Sequence, residues 1–204
     1  MRCKDLPAAC QDRVLRKVPL ADSLRIIGRG SSNWLAHRPI VVSFEVTDAC
    51  SCWCKHCDHG GRRDESRNLK PADYRRYMQA LRPCVVQVSG GESLLRDDVA
   101  DIVRAIKDGD TLPYTILVSN WSDMTEGLYF ALRTAGVNQF SVSLDFPDSR
   151  HDAFRVYSGL YRHLEDLSRA WRDSGTMTLS STPASPARIW ARSRPSRTRH
   201  ASGE

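Results

Sequence analysis

What the 204-residue chain lacks narrows it first. It has no run of about eighteen apolar residues, the length a membrane-crossing helix needs. Its N-terminal MRCKDLPAACQDRVLRKVPL has no apolar stretch of the secretory type, so the expectation is a cytoplasmic protein with no membrane partner. Net positive charge is scarce over most of the chain. The net charge is +6, but residues 183–204, with five arginines and one acid, supply +4 of it and leave +2 for the rest. A broad basic face is therefore not expected, and nucleic acid as a partner is left only to that tail. Disorder throughout is excluded by a hydrophobic content of 41%, enough for an ordinary core.

From Pro39 onward, short β-branched runs alternate with helical patterns. The expected strands are Ile40 to Val46, Cys84 to Ser89, Tyr114 to Ser119 and Phe140 to Asp145, and Thr176 to Thr182 begins a fifth. Between them, Pro71 opens a helix carrying Tyr74, Tyr77, Met78 and Leu81. Asp97 and Asp98 suit the positive end of a helix carrying Val99, Ile102, Val103 and Ile106. Ser122 or Asp123 can cap a third helix through Leu128, Phe130, Leu132 and Ala135. A last helical pattern covers His151 to Arg172. Repeated strand, loop and helix units predict an α/β fold, a parallel sheet curled towards a barrel by right-handed crossovers. Residues 1–38 read as an N-terminal helical extension, its helix ending at Gly28. Residues 39–182 form the core, and 183–204 a disordered tail rich in Arg, Pro and Ser.

In such folds the loops leaving the carboxyl ends of the strands share one face, where ligands bind. The loop after the first strand is unusual. Val46 to Gly61, VTDACSCWCKHCDHGG, packs four cysteines and two histidines into sixteen residues. In a reducing compartment, clustered thiols act as metal ligands or redox groups more readily than as disulfides. Structural zinc on Cys52, Cys54, Cys57, His56 and His59 is one reading. It lacks the second ligand pair that zinc knuckles carry a dozen or more residues away. Cys84, in a strand, and His59 read as structural.

Cys50, Cys54 and Cys57 have the spacing Cx3Cx2C, and Gly90, Gly91 and Glu92 follow the second strand. With Ser119-Asn120 and the SVSLD ending of the fourth strand, this pattern resembles the radical S-adenosylmethionine (SAM) family, closest to its peptide-modifying branch. The resemblance covers Pro39 to about Leu179, roughly 70% of the chain. It implies a partial (βα)6 barrel, here of four to five βα units. It also implies a [4Fe-4S] cluster held by Cys50, Cys54 and Cys57, whose fourth iron takes SAM. Cys52 is left out of the ligand set. Gly90, Gly91 and Glu92 would contact SAM, the glycines by close backbone approach and the carboxylate at the ammonium group. Ser93 departs from the proline common in the family at that position. His56, Asn120, Ser143 and Asp145 complete the implied cofactor contacts. The implied chemistry is reductive cleavage of SAM to a 5′-deoxyadenosyl radical that abstracts hydrogen from a substrate. Electrons would come from a donor such as flavodoxin or ferredoxin, and the substrate would be a peptide or a small molecule.

Two alternatives remain: a non-catalytic zinc-binding interaction module, and a protein that binds nucleic acid through its basic tail. After Thr182 the apolar pattern stops, short of the six units of the family's barrel. This reads as a truncated or out-of-frame ending from about Ser180 that could disable turnover.

Overall fold

The computed structural model describes residues 20–61, 68–107, 112–173 and 180–183. Five strands form one sheet: β1 Val41–Glu45, β2 Val85–Ser89, β3 Tyr114–Ser119, β4 Gln139–Leu144 and β5 Ser180–Pro183. All neighbours are parallel, and the spatial order β1-β2-β3-β4-β5 is the chain order. A sheet that always steps in the same direction through right-handed crossovers keeps its helices on one face. The expected α/β architecture, an open barrel of βα units, is therefore the one observed.

Alternation along the strands gives the two faces different characters. On the helix face, Val86, Val88, Thr115, Leu117, Phe140 and Val142 are buried. They form the core with Ile102, Val103, Ile106, Tyr129 and Leu132 of the helices. On the opposite face, Gln87, Ser89, Ile116, Val118, Ser141 and Ser143 are only half-buried, and Ser43 and Glu45 are exposed. That second face is the inside of the incomplete barrel, and its serines and glutamine mark it as a surface facing a ligand or water rather than packing.

The helices begin where local chemistry favours them. Helix α1 is Leu20–Leu35. Helix α2, Pro71–Leu81, starts on Pro71, where the missing N–H costs nothing, and Asp73 Oδ2 accepts from the Lys70 N–H at 2.9 Å. Helix α3 is Val99–Ile106 and α4 is Glu126–Ala135. Helices α5, Arg150–Arg155, and α6, Leu160–Asp173, complete the set.

Three helix expectations need correction. Helix α1 runs through Gly28 and Gly30 instead of stopping at Gly28. Nothing lies within 4 Å of a Cβ placed on Gly28, Gly30 abuts Cys84 Sγ, and Asn33 at the far end donates to the Pro39 and Arg82 carbonyls at 2.9 Å. The cap of α4 is Thr125, whose Oγ1 accepts from the Leu128 N–H at 3.2 Å, while the Ser122 hydroxyl donates to Asp123 at 2.6 Å and meets that of Ser51 at 2.7 Å. The last helical stretch is two helices. Val156 ends the first in a left-handed conformation, and Asp152 accepts from the Gly159 and Tyr161 N–H groups at 2.7 Å to start the second. The tail anticipated from residue 183 lies, from 184 on, outside the described residues.

Candidate cofactor site at the strand ends

The cysteine loop leaves β1 and is fixed at once by the end of β2. Val46 donates to Ser89 at 2.9 Å, while Gly91 and Glu92 donate to the Thr47 and Ala49 carbonyls at 2.8 and 2.7 Å. A Cβ on Gly91 would collide with Ala49 O and stand 2.7 Å from Ala49 C; one on Gly90, at φ +134°, would collide with Thr47 O. The two glycines thus allow a close approach of the β2 end to the backbone of the cysteine loop. Arg96, 5% exposed, holds the same entrance: Nη1 donates to the Val46 carbonyl at 2.8 Å and Nη2 to Leu69 O at 3.0 Å. The Asp98 carboxylate, at the start of α3, pairs with Arg96 at 2.7 Å.

Beyond Ala49 the loop closes on itself and on α5. Cys50 donates to Gly61 O at 3.0 Å, and the exposed Trp53 ring lies over Gly60 and Gly61, where any side chain would meet it. Trp53 and Lys55 donate to the Arg155 and Phe154 carbonyls at 3.0 and 3.1 Å. His56 stacks on Phe154, with ring centroids 4.9 Å apart.

Cys50, Cys52 and Cys54 are buried and Cys57 half-buried; all four are free thiols. The Cys52 thiol lies between its neighbours, and its hydrogen bonding draws the Cys50 and Cys54 thiols well below the ordinary value while raising its own. The positive charge of Arg155 also lowers Cys50 and Cys54. The loop therefore favours thiolates at Cys50 and Cys54, the form a metal requires. Among the described residues no three such groups converge on a single-ion position. Cysteines of a cubane need not converge in that way, since each binds a different iron.

Asn120, at the end of β3, supports the central thiol: Nδ2 donates to Cys52 Sγ at 3.1 Å, and Oδ1 accepts from the Ser122 N–H at 2.8 Å. Glu92 lies beneath, fully buried. Its Oε1 accepts from the Leu94 N–H at 3.0 Å and its Oε2 from the Asn120 N–H at 2.7 Å. Burial pushes its pKa up to about 7, against the lowering effect of these bonds. The carboxylate assigned from the sequence to a ligand ammonium is thus engaged with the protein's own amides, tying the end of β2 to that of β3.

Past β4, Asp145 Oδ2 accepts from Arg155 Nε at 2.6 Å, and Arg155 Nη1 lies 3.6 Å from Cys54 Sγ. His151, fully buried, accepts the Asp145 N–H on Nδ1 at 3.2 Å; burial lowers its pKa, so the ring is neutral with its proton on Nε2. Asp145 Oδ1 is buried with no hydrogen-bond partner among the described residues. Ser143 lies on the half-buried inner face of β4, and His59 is half-buried beside Asp48 at 3.6 Å. Cys84 packs against α1, as a structural cysteine should. Of the residues singled out from sequence, Cys50, Cys54, Glu92, Asn120 and Asp145 thus belong to one connected network. Arg155 and Phe154 were missed. Their signal, HDAFR after SVSLD, reads in the sequence only as part of a helix.

A thiol-rich loop at the carboxyl end of the first strand of a singly wound parallel sheet defines a cofactor-binding enzyme fold. The Radical SAM superfamily model matches residues 44–182, and the chain belongs to that superfamily of enzymes, whose cofactors are a [4Fe-4S] cluster and SAM. Among curated relatives, a GTP 3',8-cyclase of Edwardsiella ictaluri is 33% identical over 116 residues, covering 53% of this chain and 35% of that protein. An AdoMet-dependent heme synthase of Methanosarcina barkeri is 27% identical over 132 residues, 62% of this chain and 37% of its own. The chain therefore spans little more than a third of the length of these relatives. Streptococcus suis SuiB, in a crystal structure bound to S-adenosylmethionine, shares the fold with a TM-score of 0.59 at 17% identity, over 80% of this chain and 39% of SuiB.

Proposed function

We propose that this chain is the cofactor-binding core of a radical SAM enzyme, with Cys50, Cys54 and Cys57 as the three ligands of a [4Fe-4S] cluster and SAM on the remaining iron. The observation that carries the reading is the loop at the end of β1 in which Cys50 and Cys54 are buried free thiols and the Arg155 guanidinium reaches Cys54 Sγ at 3.6 Å. The donor set fits the group, being all sulfur and three in number at the family spacing, with a fourth thiol, Cys52, engaged by Asn120 Nδ2 at 3.1 Å. When bound, cluster and SAM together supply a 5′-deoxyadenosyl radical able to abstract hydrogen from an unactivated carbon.

The chain's own residues orient and enclose. Gly90 and Gly91 dock the end of β2 onto the loop entrance, and Glu92 locks β2 to β3 from below, so the GGE segment offers SAM its backbone rather than its carboxylate. Asp145 Oδ1, a buried acceptor without a partner, suits a hydroxyl or ammonium donor of the cofactor. Ser143 on the inner face and the exposed His56 ring, one face of which is taken by Phe154, complete the proposed contacts. The half-polar inner face of the sheet is the proposed substrate surface. A flavodoxin or ferredoxin is the proposed electron donor, and a reducing cytoplasm is the compartment that suits five free described cysteines. SVSLD favours a peptide substrate. The family match runs past the ends of β1 to β4 and supports neither the zinc module nor a nucleic-acid-binding role.

Anaerobic reconstitution with iron and sulfide, then reduction with SAM present, tests the reading. About four irons per chain and release of 5′-deoxyadenosine are expected. A single tightly held zinc with no iron uptake would overturn it.

A further inference from the structure

Arg155 grips the cysteine loop twice. Its carbonyl accepts the Trp53 N–H at 3.0 Å, and its side chain, 11% exposed, reaches back so that Nη1 lies 3.6 Å from Cys54 Sγ while Nε is held by Asp145 at 2.6 Å. A guanidinium buried to this degree is expensive unless it is paired, and here one of its two side-chain partners is a sulfur. Asp145 fixes the plane of the guanidinium, and the backbone bond fixes its origin. The Nη1–H is thereby aimed at one thiol and not left to wander in solvent.

Resting on the cluster reading above, we infer that Arg155 is a positioning residue that donates Nη1–H to the Cys54 thiolate and thereby raises the reduction potential of the cluster bound there. Hydrogen bonds and positive charge at a ligand sulfur withdraw electron density and favour the reduced state, and outer-shell groups are a principal means of setting the potential. The Asp145 carboxylate opposes part of that charge. Removing Arg155 and neutralising Asp145 must therefore move the potential in opposite directions, a signature that a merely structural residue would not give.

The test is an EPR-monitored redox titration of the reconstituted full chain without SAM, in the unaltered protein, Arg155→Met and Asp145→Asn, with iron content measured for each. A charge-assisted hydrogen bond of ordinary strength corresponds to about a tenfold change in the reduction equilibrium, or about 59 mV for one electron. Arg155→Met is expected to shift the potential downward by that order and Asp145→Asn upward. Intact clusters whose potentials do not move, or both variants shifting the same way, overturn the inference. So does an unchanged potential together with weakened SAM binding by Arg155→Met in a separate equilibrium titration with SAM, which would make Arg155 a SAM contact. If Arg155→Met fails to assemble a cluster, the sign of the Asp145→Asn shift decides. Absence of a cluster in the unaltered chain would overturn the parent reading, whereas a normal cluster with unshifted variants defeats this inference alone.

Discussion

Replacing Gly91 by alanine tests whether the end of β2 positions the cysteine loop. The added methyl would collide with the Ala49 carbonyl oxygen and come within 2.7 and 2.8 Å of Ala49 C and Asp48 O. All three neighbours are backbone, so no side chain can swing aside and the loop entrance itself must move. That movement breaks the bonds from Gly91 and Glu92 to Thr47 and Ala49, at 2.8 and 2.7 Å. Two buried backbone bonds at about 1 kcal/mol each, with an overpacking cost of about 1 kcal/mol or more, give a loss of about 3 kcal/mol. With a urea slope of about 2 kcal/mol/M, the midpoint falls by about 1.5 M. Because the segment moved is the one leading into Cys50, iron uptake on reconstitution falls with it. Gly28→Ala is the control: nothing lies within 4 Å of its Cβ, and as a helix-interior position it should gain about 0.5–1 kcal/mol. Gly91→Ala with an unchanged urea midpoint and full iron content would refute the reasoning.

Glu92, with its pKa raised to about 7 from 4.5, is most favourable when protonated. Its contribution is fully present below about pH 4.5 and is lost as pH rises to about 7, so Glu92→Gln should remove up to about 3 kcal/mol of pH dependence in that window, read from urea midpoints across pH. Cys52→Ser is expected to keep the iron complement, whereas Cys54→Ala loses it; iron analysis after anaerobic reconstitution decides, and equal loss in both would make Cys52 a ligand. Arg96→Met strips the buried clamp from Val46 and Leu69 and leaves Asp98 unpaired, at a cost of about 3 kcal/mol by urea denaturation.

Strands β1 to β4 were legible because each is a short apolar run bounded by polar turns, and their expected spans differ from those observed by at most one residue at an end, whereas the start expected for the fifth, Thr176, lies outside the described residues. Pro71 marked its helix start correctly, since it acts through the local backbone; Asp98 directly precedes α3, but its carboxylate is taken by Arg96 and makes no capping bond. What failed was decided at long range. Gly28 looks like a stop signal until Gly30 and Asn33, further along, are seen packing α1 against Cys84 and the Arg82 carbonyl. Ser122 has the chemistry of a cap, but its hydroxyl is engaged by Ser51, 71 residues earlier in the chain, and by Asp123. Glu92 reads as a ligand carboxylate, and only the fold reveals that it accepts from the Asn120 amide, 28 residues on. Arg155 is one arginine among many until it is found 3.6 Å from a thiol 101 residues away.

These long-range bonds share a pattern that bears on where the chemistry resides. The cysteine loop after β1 is bonded to the end of β2 through Gly91 and Glu92, to the end of β3 through Asn120, and to the segment after β4 through Arg155 and Phe154. Each strand end thus supports the loop directly and does not merely line a shared mouth. Such a loop is preorganised by the sheet, since moving any one strand end would strand a buried polar partner. β5, by contrast, is joined through its pairing with β4, from Ser141 with Ser180 to Leu144 with Pro183. The groups that would hold the cluster are therefore concentrated between Val41 and Arg155. Ligand substitutions there should act on cofactor uptake, while changes on the inner face, at Gln87 or Ser141, should act on substrate.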